Sequence, residues 1–117
     1  MNDDSLSTLT QMTEGPVAPA DRVYAFERVR DLCRTAPRVI RRARTRLTAL
    51  PDPTGDCPAA ADGTLMLEGG LILSAGVMAV TVREAVDLLM ARFRHRLRRL
   101  EESRRGQPIG SFPANAA

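Results

Sequence analysis

The chain has 117 residues, 44% of them hydrophobic and 26% charged, proportions that suit one globular domain with a single modest core. Lysine is absent, so all 17 basic side chains are arginines; 14 acids leave a net charge of only +3. A membrane span is excluded: the apolar run from Leu65 to Val82 is broken by Glu68, Gly69, Gly70 and Gly76, below the ~20 residues a spanning helix needs.

Distribution of the charge is more telling than its sum. Nine arginines lie between Arg22 and Arg46 against two acids, Glu27 and Asp31, and seven lie between Arg92 and Arg105 against Glu101 and Glu102. A genome rich in G and C favours arginine over lysine, which accounts for the identity of these residues but not for their clustering. Two basic blocks on a nearly neutral chain point to a polyanionic partner. Enzyme classes find no support. There is no Ser-His-Asp set, no phosphate-cradling glycine loop and no paired carboxylates, and Asp52, Asp56 and Asp62 do not follow calcium-loop spacing. With one histidine, and with Cys33 and Cys57 outside any CxxC pair, no zinc site is expected, nor any other cofactor. An acidic, polar N-terminus without the pattern of a signal peptide, and a Cys33 placed for burial as a thiol, fit a cytoplasmic protein.

In chain order, residues 1–4 read as disordered. Ser5 to Thr13 reads as a strand, and Glu14 to Pro19 as a loop. Pro19 and Asp21 mark the start of a helix over Asp21 to Arg34, with Val23, Phe26, Val29, Leu32 and Cys33 on its apolar stripe. Ala36-Pro37 ends it. Val39 to Leu50 alternates as a strand, with Ala43, Thr45, Leu47 and Ala49 on one face and Arg42, Arg44, Arg46 and Thr48 on the other. Pro51 to Gly63 reads as a loop. Thr64 to Glu68 and Leu71 to Val80 read as a hairpin about Glu68-Gly69-Gly70. Thr81 with Glu84 three residues on is a capping box for a long helix from Val82 to about Ser103, its stripe formed by Val82, Val86, Leu89, Phe93, Leu97 and Leu100. Gly106 and Pro108 stop this helix, and residues 104–117 read as a flexible tail. An α+β fold of order β-α-β-β-β-α follows. Its simplest packing is a curved antiparallel four-stranded sheet with both helices on one face.

Three stretches carry a family resemblance: PADRVYAFERVRDLCR at 19–34, ARTRLT at 43–48 and TVREAVDLLMARFRHRLRRLEE at 81–102. With the order of elements, they resemble the N-terminal domain of the ribosome hibernation-promoting factor and ribosome-associated translation inhibitor family, in its actinobacterial form, over residues 5–103. The resemblance implies a sandwich like that of double-stranded-RNA-binding domains. It implies a non-enzymatic factor that lodges in the mRNA and tRNA channel of the small ribosomal subunit, binds 16S rRNA and inhibits translation under stress. Carried over by position, the rRNA-binding residues are Arg22, Arg28 and Arg34 on the first helix and Arg92, Arg96 and Arg99 on the last, with His95 at a position often basic in the family. Arg42, Arg44 and Arg46 either join them or line an open sheet face without touching RNA. Two departures stand out. Asp31 occupies a position that is basic in the family, and LILSAGVMAV at 71–80 lacks the polar and basic residues the family often carries on its open face.

Few aromatic residues are available, namely Tyr24, Phe26, Phe93 and Phe112, so recognition by shape and phosphate contact is expected, not a base-stacking platform. Arginine suits that task, because its planar fork takes two phosphate oxygens at once. An alternative reading is a protein-interaction or homodimerisation module that uses an exposed apolar sheet face.

Overall fold

The computed structural model describes residues 7–51 and 58–106. Met1 to Asp4, Cys57 and the segment beyond Gly106 lie outside them. The elements are β1 (Thr8–Glu14), α1 (Pro19–Thr35), β2 (Ile40–Ala49), β3 (Ala59–Leu67), β4 (Ile72–Ala79) and α2 (Val82–Gly106), the expected order. They form one four-stranded sheet in the order β1-β2-β3-β4, with both helices packed on the same face.

The sheet is mixed, not antiparallel. β1 pairs in parallel with β2, while β2–β3 and β3–β4 are antiparallel. The cause is α1: a helix between two neighbouring strands carries the chain back across the sheet, so the second strand enters in the direction of the first. The β2–β3 and β3–β4 links each join antiparallel strands, and the second spans only Glu68 to Leu71. In the second, Gly69 and Gly70 adopt φ of 95° and 93°, values open to glycine.

β3 begins at Ala59, five residues before the expected strand start at Thr64. Alanines, Asp62 and Gly63 carry little strand propensity of their own, so pairing with β2, from Ala49↔Ala59 through Arg44↔Thr64, decides the conformation. The short side chains then serve packing. Gly63 lies beneath the Phe93 ring: a Cβ there would stand 3.4 Å from Cε2 of Phe93 and 2.9 Å from the Arg44 carbonyl oxygen.

The core lies between the sheet and the helices. Ala43, Leu47, Ala61, Leu65, Leu67 and Leu73 face Val86, Leu89, Met90, Phe93 and Leu97 of α2 and Ala25, Val29 and Leu32 of α1. The α2 stripe is the expected one, with Leu100 only half-buried and Ala85 and Met90 added. The α1 stripe is not. Its buried line is Ala25-Val29-Leu32, with Cys33 half-buried, while Val23 is 58% and Phe26 38% exposed. An alanine adds little apolar weight to a sequence pattern, yet it lets the helix sit closest to the sheet, so the helix is turned about its axis toward Ala25.

The capping box at α2 forms one residue out of the usual register. The Glu84 amide donates to Thr81 Oγ1 at 3.1 Å, and Glu84 Oε1 accepts from the amide of Val80, the residue before the cap, at 3.1 Å. At the other helix no side chain caps Ala18, and Pro19 occupies the first turn, where its missing N–H is no loss.

Gly15 closes the turn out of β1 with φ 79°, and a Cβ on it would stand 1.8 Å from the carbonyl oxygen of Ala49. Gly15→Ala is therefore expected to destabilise the domain by more than the ~1–3 kcal/mol of an unfavourable φ alone. A urea-unfolding midpoint equal to that of the parent chain would contradict this account.

Candidate nucleic-acid interface

The two helices run parallel. Asp21 meets Arg83, Tyr24 meets Asp87 and Asp31 meets Arg94, so positions advance in step along both helices. Like dipole ends therefore share one end of the molecule. Acids gather near the N-terminal ends (Asp21, Glu84, Asp87), and cations gather around the C-terminal end of α1 and the second half of α2 beside it (Arg34, Arg38, Arg94, Arg98, Arg99), where Glu101 and Glu102 also lie.

A polar seam joins the helices. Asp87 accepts from the Tyr24 hydroxyl at 2.6 Å and pairs with Arg28 at 3.6 Å. Arg83 pairs with Asp21 at 2.9 Å and lies 4.8 Å over the Tyr24 ring. Arg94 pairs with Asp31 at 3.4 Å and donates to Thr35 Oγ1 at 3.2 Å. Asp31, the acidic residue at a position basic in the resembling family, thus has a local role: it holds an arginine of the facing helix. Arg94, whose sequence neighbours on α2 include no partner for it, is held across the seam.

The nine predicted contact residues do not form one surface. Arg22 and Arg34 stand exposed on α1, but Arg28 between them is turned into the seam. Arg92, Arg96 and Arg99 share the opposite flank, on the β4 side of α2. There Arg92 donates to the Gly76 carbonyl at 3.4 Å and Arg96 donates to the Ser74 carbonyl. β4 is an edge strand, and its outward carbonyls are open to any passing strand unless something covers them. These two guanidinium groups are the cover. Arg42, Arg44 and Arg46 project from β2 on the face of the sheet away from the helices. His95 is exposed on α2.

Among the described residues, no acid lies within ion-pair distance of Arg22, Arg30, Arg34, Arg38, Arg98 or Arg99. Arg30, Arg38 and Arg98 were not among the predicted contacts. The signal for Arg30 was present in the sequence: with the α1 stripe drawn through Ala25, Val29 and Leu32, it falls with Arg34 on the outer surface. Arg98 needs the parallel packing of the helices, which brings it to a cleft of about 290 Å³ between the helix ends, lined by Leu32, Thr35, Pro37, Arg94, Leu97 and Glu101.

Among the described residues no His, Cys, Asp and Glu group has metal-site geometry, and no helix is long and apolar enough to cross a membrane. The sequence matches no protein-family model and no curated protein. Solved structures do match. The N-terminal domain of Protein Y from Thermus thermophilus superposes with a TM-score of 0.61 at 18% identity, over 80% of this chain and 98% of that one. A ribosomal subunit interface protein from Coxiella burnetii superposes with a TM-score of 0.62 at 19% identity, again over 80% and 98%. This chain has the Protein Y N-terminal-domain fold. The fold thus coincides with that of the family its sequence resembles.

Tyr24 is the one tyrosine, and tryptophan is absent, so phenolate absorbance reports on it alone. Its hydrogen bond to Asp87, aided by desolvation and the Asp87 charge, raises the phenol above its ordinary value of 10.0 against the opposing pull of Arg28 and Arg83. That bond's share of stability is present below pH 10 and is lost as pH climbs through the raised folded value. An absorbance titration should place the midpoint above 10 and Asp87→Asn should lower it; an unmoved midpoint would remove Asp87 as the cause. At the edge, Arg92→Ala with Arg96→Ala uncovers the β4 carbonyls. Sedimentation velocity should show more concentration-dependent association than the parent chain does, and equal association would mean the edge is guarded by other means.

Proposed function

We propose that this domain is a non-enzymatic ribosome-associated factor of the hibernation type. In this reading it binds 16S rRNA of the small subunit in the mRNA and tRNA channel and inhibits translation under stress, in the cytoplasm. The observation that carries the reading is a coincidence of fold and charge. The fold is that of the Protein Y N-terminal domain and of a protein described as a ribosomal subunit interface protein. On that fold, arginines without acidic partners among the described residues collect around the C-terminal end of α1 and the second half of α2.

Dense like charge at one end of a small domain repels itself, and a polyanion relieves that repulsion. Arg30, Arg34, Arg98 and Arg99 are the strongest candidates for phosphate contact, together with Arg22. Of the residues carried over by position, Arg28 contributes less because Asp87 holds it, and Arg92 and Arg96 reach phosphate only by leaving the β4 carbonyls. A domain lodged in a channel is touched on both sides, so the Arg42, Arg44 and Arg46 ladder on the far face is compatible with the same site. An apolar dimer interface on that face is less well supported. Its central strand carries three arginines, and exposed Met12, Ile72 and Met78 lie on other strands around them.

Co-sedimentation with small ribosomal subunits across a salt series tests the proposal. With about six phosphates neutralised, affinity should fall by roughly 10³ between 50 and 200 mM salt on the duplex calibration. Arg30→Glu, Arg34→Glu, Arg98→Glu and Arg99→Glu combined should abolish sedimentation while leaving the β4 edge covered. Failure of the parent chain to sediment at low salt would overturn the ribosomal reading. Sedimentation of the quadruple variant would overturn the helix-end assignment.

A further inference from the structure

We propose that the open face of the sheet is a groove for an extended single strand of RNA, with its phosphates on Arg42 and Arg44. The inference rests on the domain's being an RNA-binding one, but it uses the face opposite the helices. Arg42, Arg44 and Arg46 alternate along β2 and project from one side, roughly 6.7 Å apart in a regular strand. That spacing is of the order of the distance between successive phosphates of an extended nucleic-acid strand. β2 is an interior strand, so the ladder has a floor on either side of it.

The floor explains why one strand fits and a duplex does not. Register places Thr10, Arg44, Thr64 and Ser74 in one row across all four strands, with Thr64 Oγ1 and Ser74 Oγ 3.3 Å apart. In the next row Arg46 is followed by Asp62 and Gly76. In the Arg44 and Arg46 rows the side chains on the β3 and β4 side are thus short and uncharged apart from Asp62, which leaves room for bases and sugars and offers hydroxyls to them, while Met66 and Ile72 stand beside Arg42. Positive charge stands on one side only. A duplex presents two phosphate rows, and the second would meet no cation; a single strand presents one. No aromatic ring lies on this face among the described residues, so the bases rest against guanidinium planes and the flexible Met66 instead of a stacked platform.

Asp62 sets the strength of the site. Its Oδ2 accepts from both Nε and Nη2 of Arg46 at 3.2 Å, which fixes that guanidinium and cancels its charge. Arg42 and Arg44 have no acid within ion-pair distance among the described residues. The native groove therefore offers two free phosphate ligands, and removing the Asp62 charge makes a third.

Fluorescence anisotropy with a labelled oligouridylate, and with an RNA duplex of equal length, decides the matter. With two phosphates engaged, oligouridylate affinity should fall about 7-fold between 50 and 200 mM salt, and with three, in Asp62→Asn, about 18-fold. Asp62→Asn should also bind more tightly at low salt. Arg42→Glu with Arg44→Glu should lose oligouridylate at least tenfold. The helix-end quadruple variant should keep oligouridylate binding. Undiminished binding by the sheet double variant, no tightening by Asp62→Asn, or equal preference for the duplex would each overturn the groove. If the parent chain binds oligouridylate by this pattern but fails to sediment with subunits, the ribosomal reading falls and the groove stands.

Discussion

Two parallel helices on one face of a sheet set their dipoles side by side with like ends together, an arrangement that needs offsetting contacts between them. Here the contacts are three aspartates, each holding an arginine of the facing helix: Asp21 with Arg83, Asp31 with Arg94, and Asp87 with Arg28. Each pair is partly exposed, so each is worth little as stability. Their consequence lies elsewhere. They draw three of the arginines into the seam and leave the remainder facing outward. The seam thereby sorts a crowded set of identical side chains into those that join helices and those available to a partner.

A second sorting occurs at the sheet. The edge strand β4 has an uncharged sequence, and an uncharged edge is a template for unwanted pairing. Arg92 and Arg96 cover its carbonyls from the neighbouring helix, which protects the edge without placing charge in the strand itself. This accounts for the absence of basic residues from β4: they stand on α2 instead. The same two side chains belong to the row that a family resemblance assigns to RNA. A phosphate approaching that flank competes with two backbone carbonyls, so contact there costs more than contact at Arg99 beside them.

Structural likeness at 18–19% identity shows how little of the fold depends on particular side chains. In this chain the frame is set by volume and period: a long apolar stripe on the last helix, small residues in β3 beneath it, and a helix placed between the first two strands. Phe93 over Gly63 illustrates the point, since the large ring is possible only because the strand below carries no Cβ there.

Periodicity and caps are local properties, and those parts of the protein were legible in the sequence. They include the order of six elements, the α2 stripe, the Thr81 and Glu84 cap, the alternation of β2 that puts Arg42, Arg44 and Arg46 on one face, and the clustering of arginine. Tertiary structure alone decided the rest. Parallel pairing of β1 follows from a crossover that no local pattern encodes. The start of β3 at Ala59 follows from pairing with β2, not from propensity. The turn of α1 toward Ala25 depends on how closely a helix approaches the sheet, which apolar weight along the chain does not measure. The allocation of arginines depends on partners distant in sequence, because a guanidinium is free or held according to whether an acid or a carbonyl stands within a few ångströms of it.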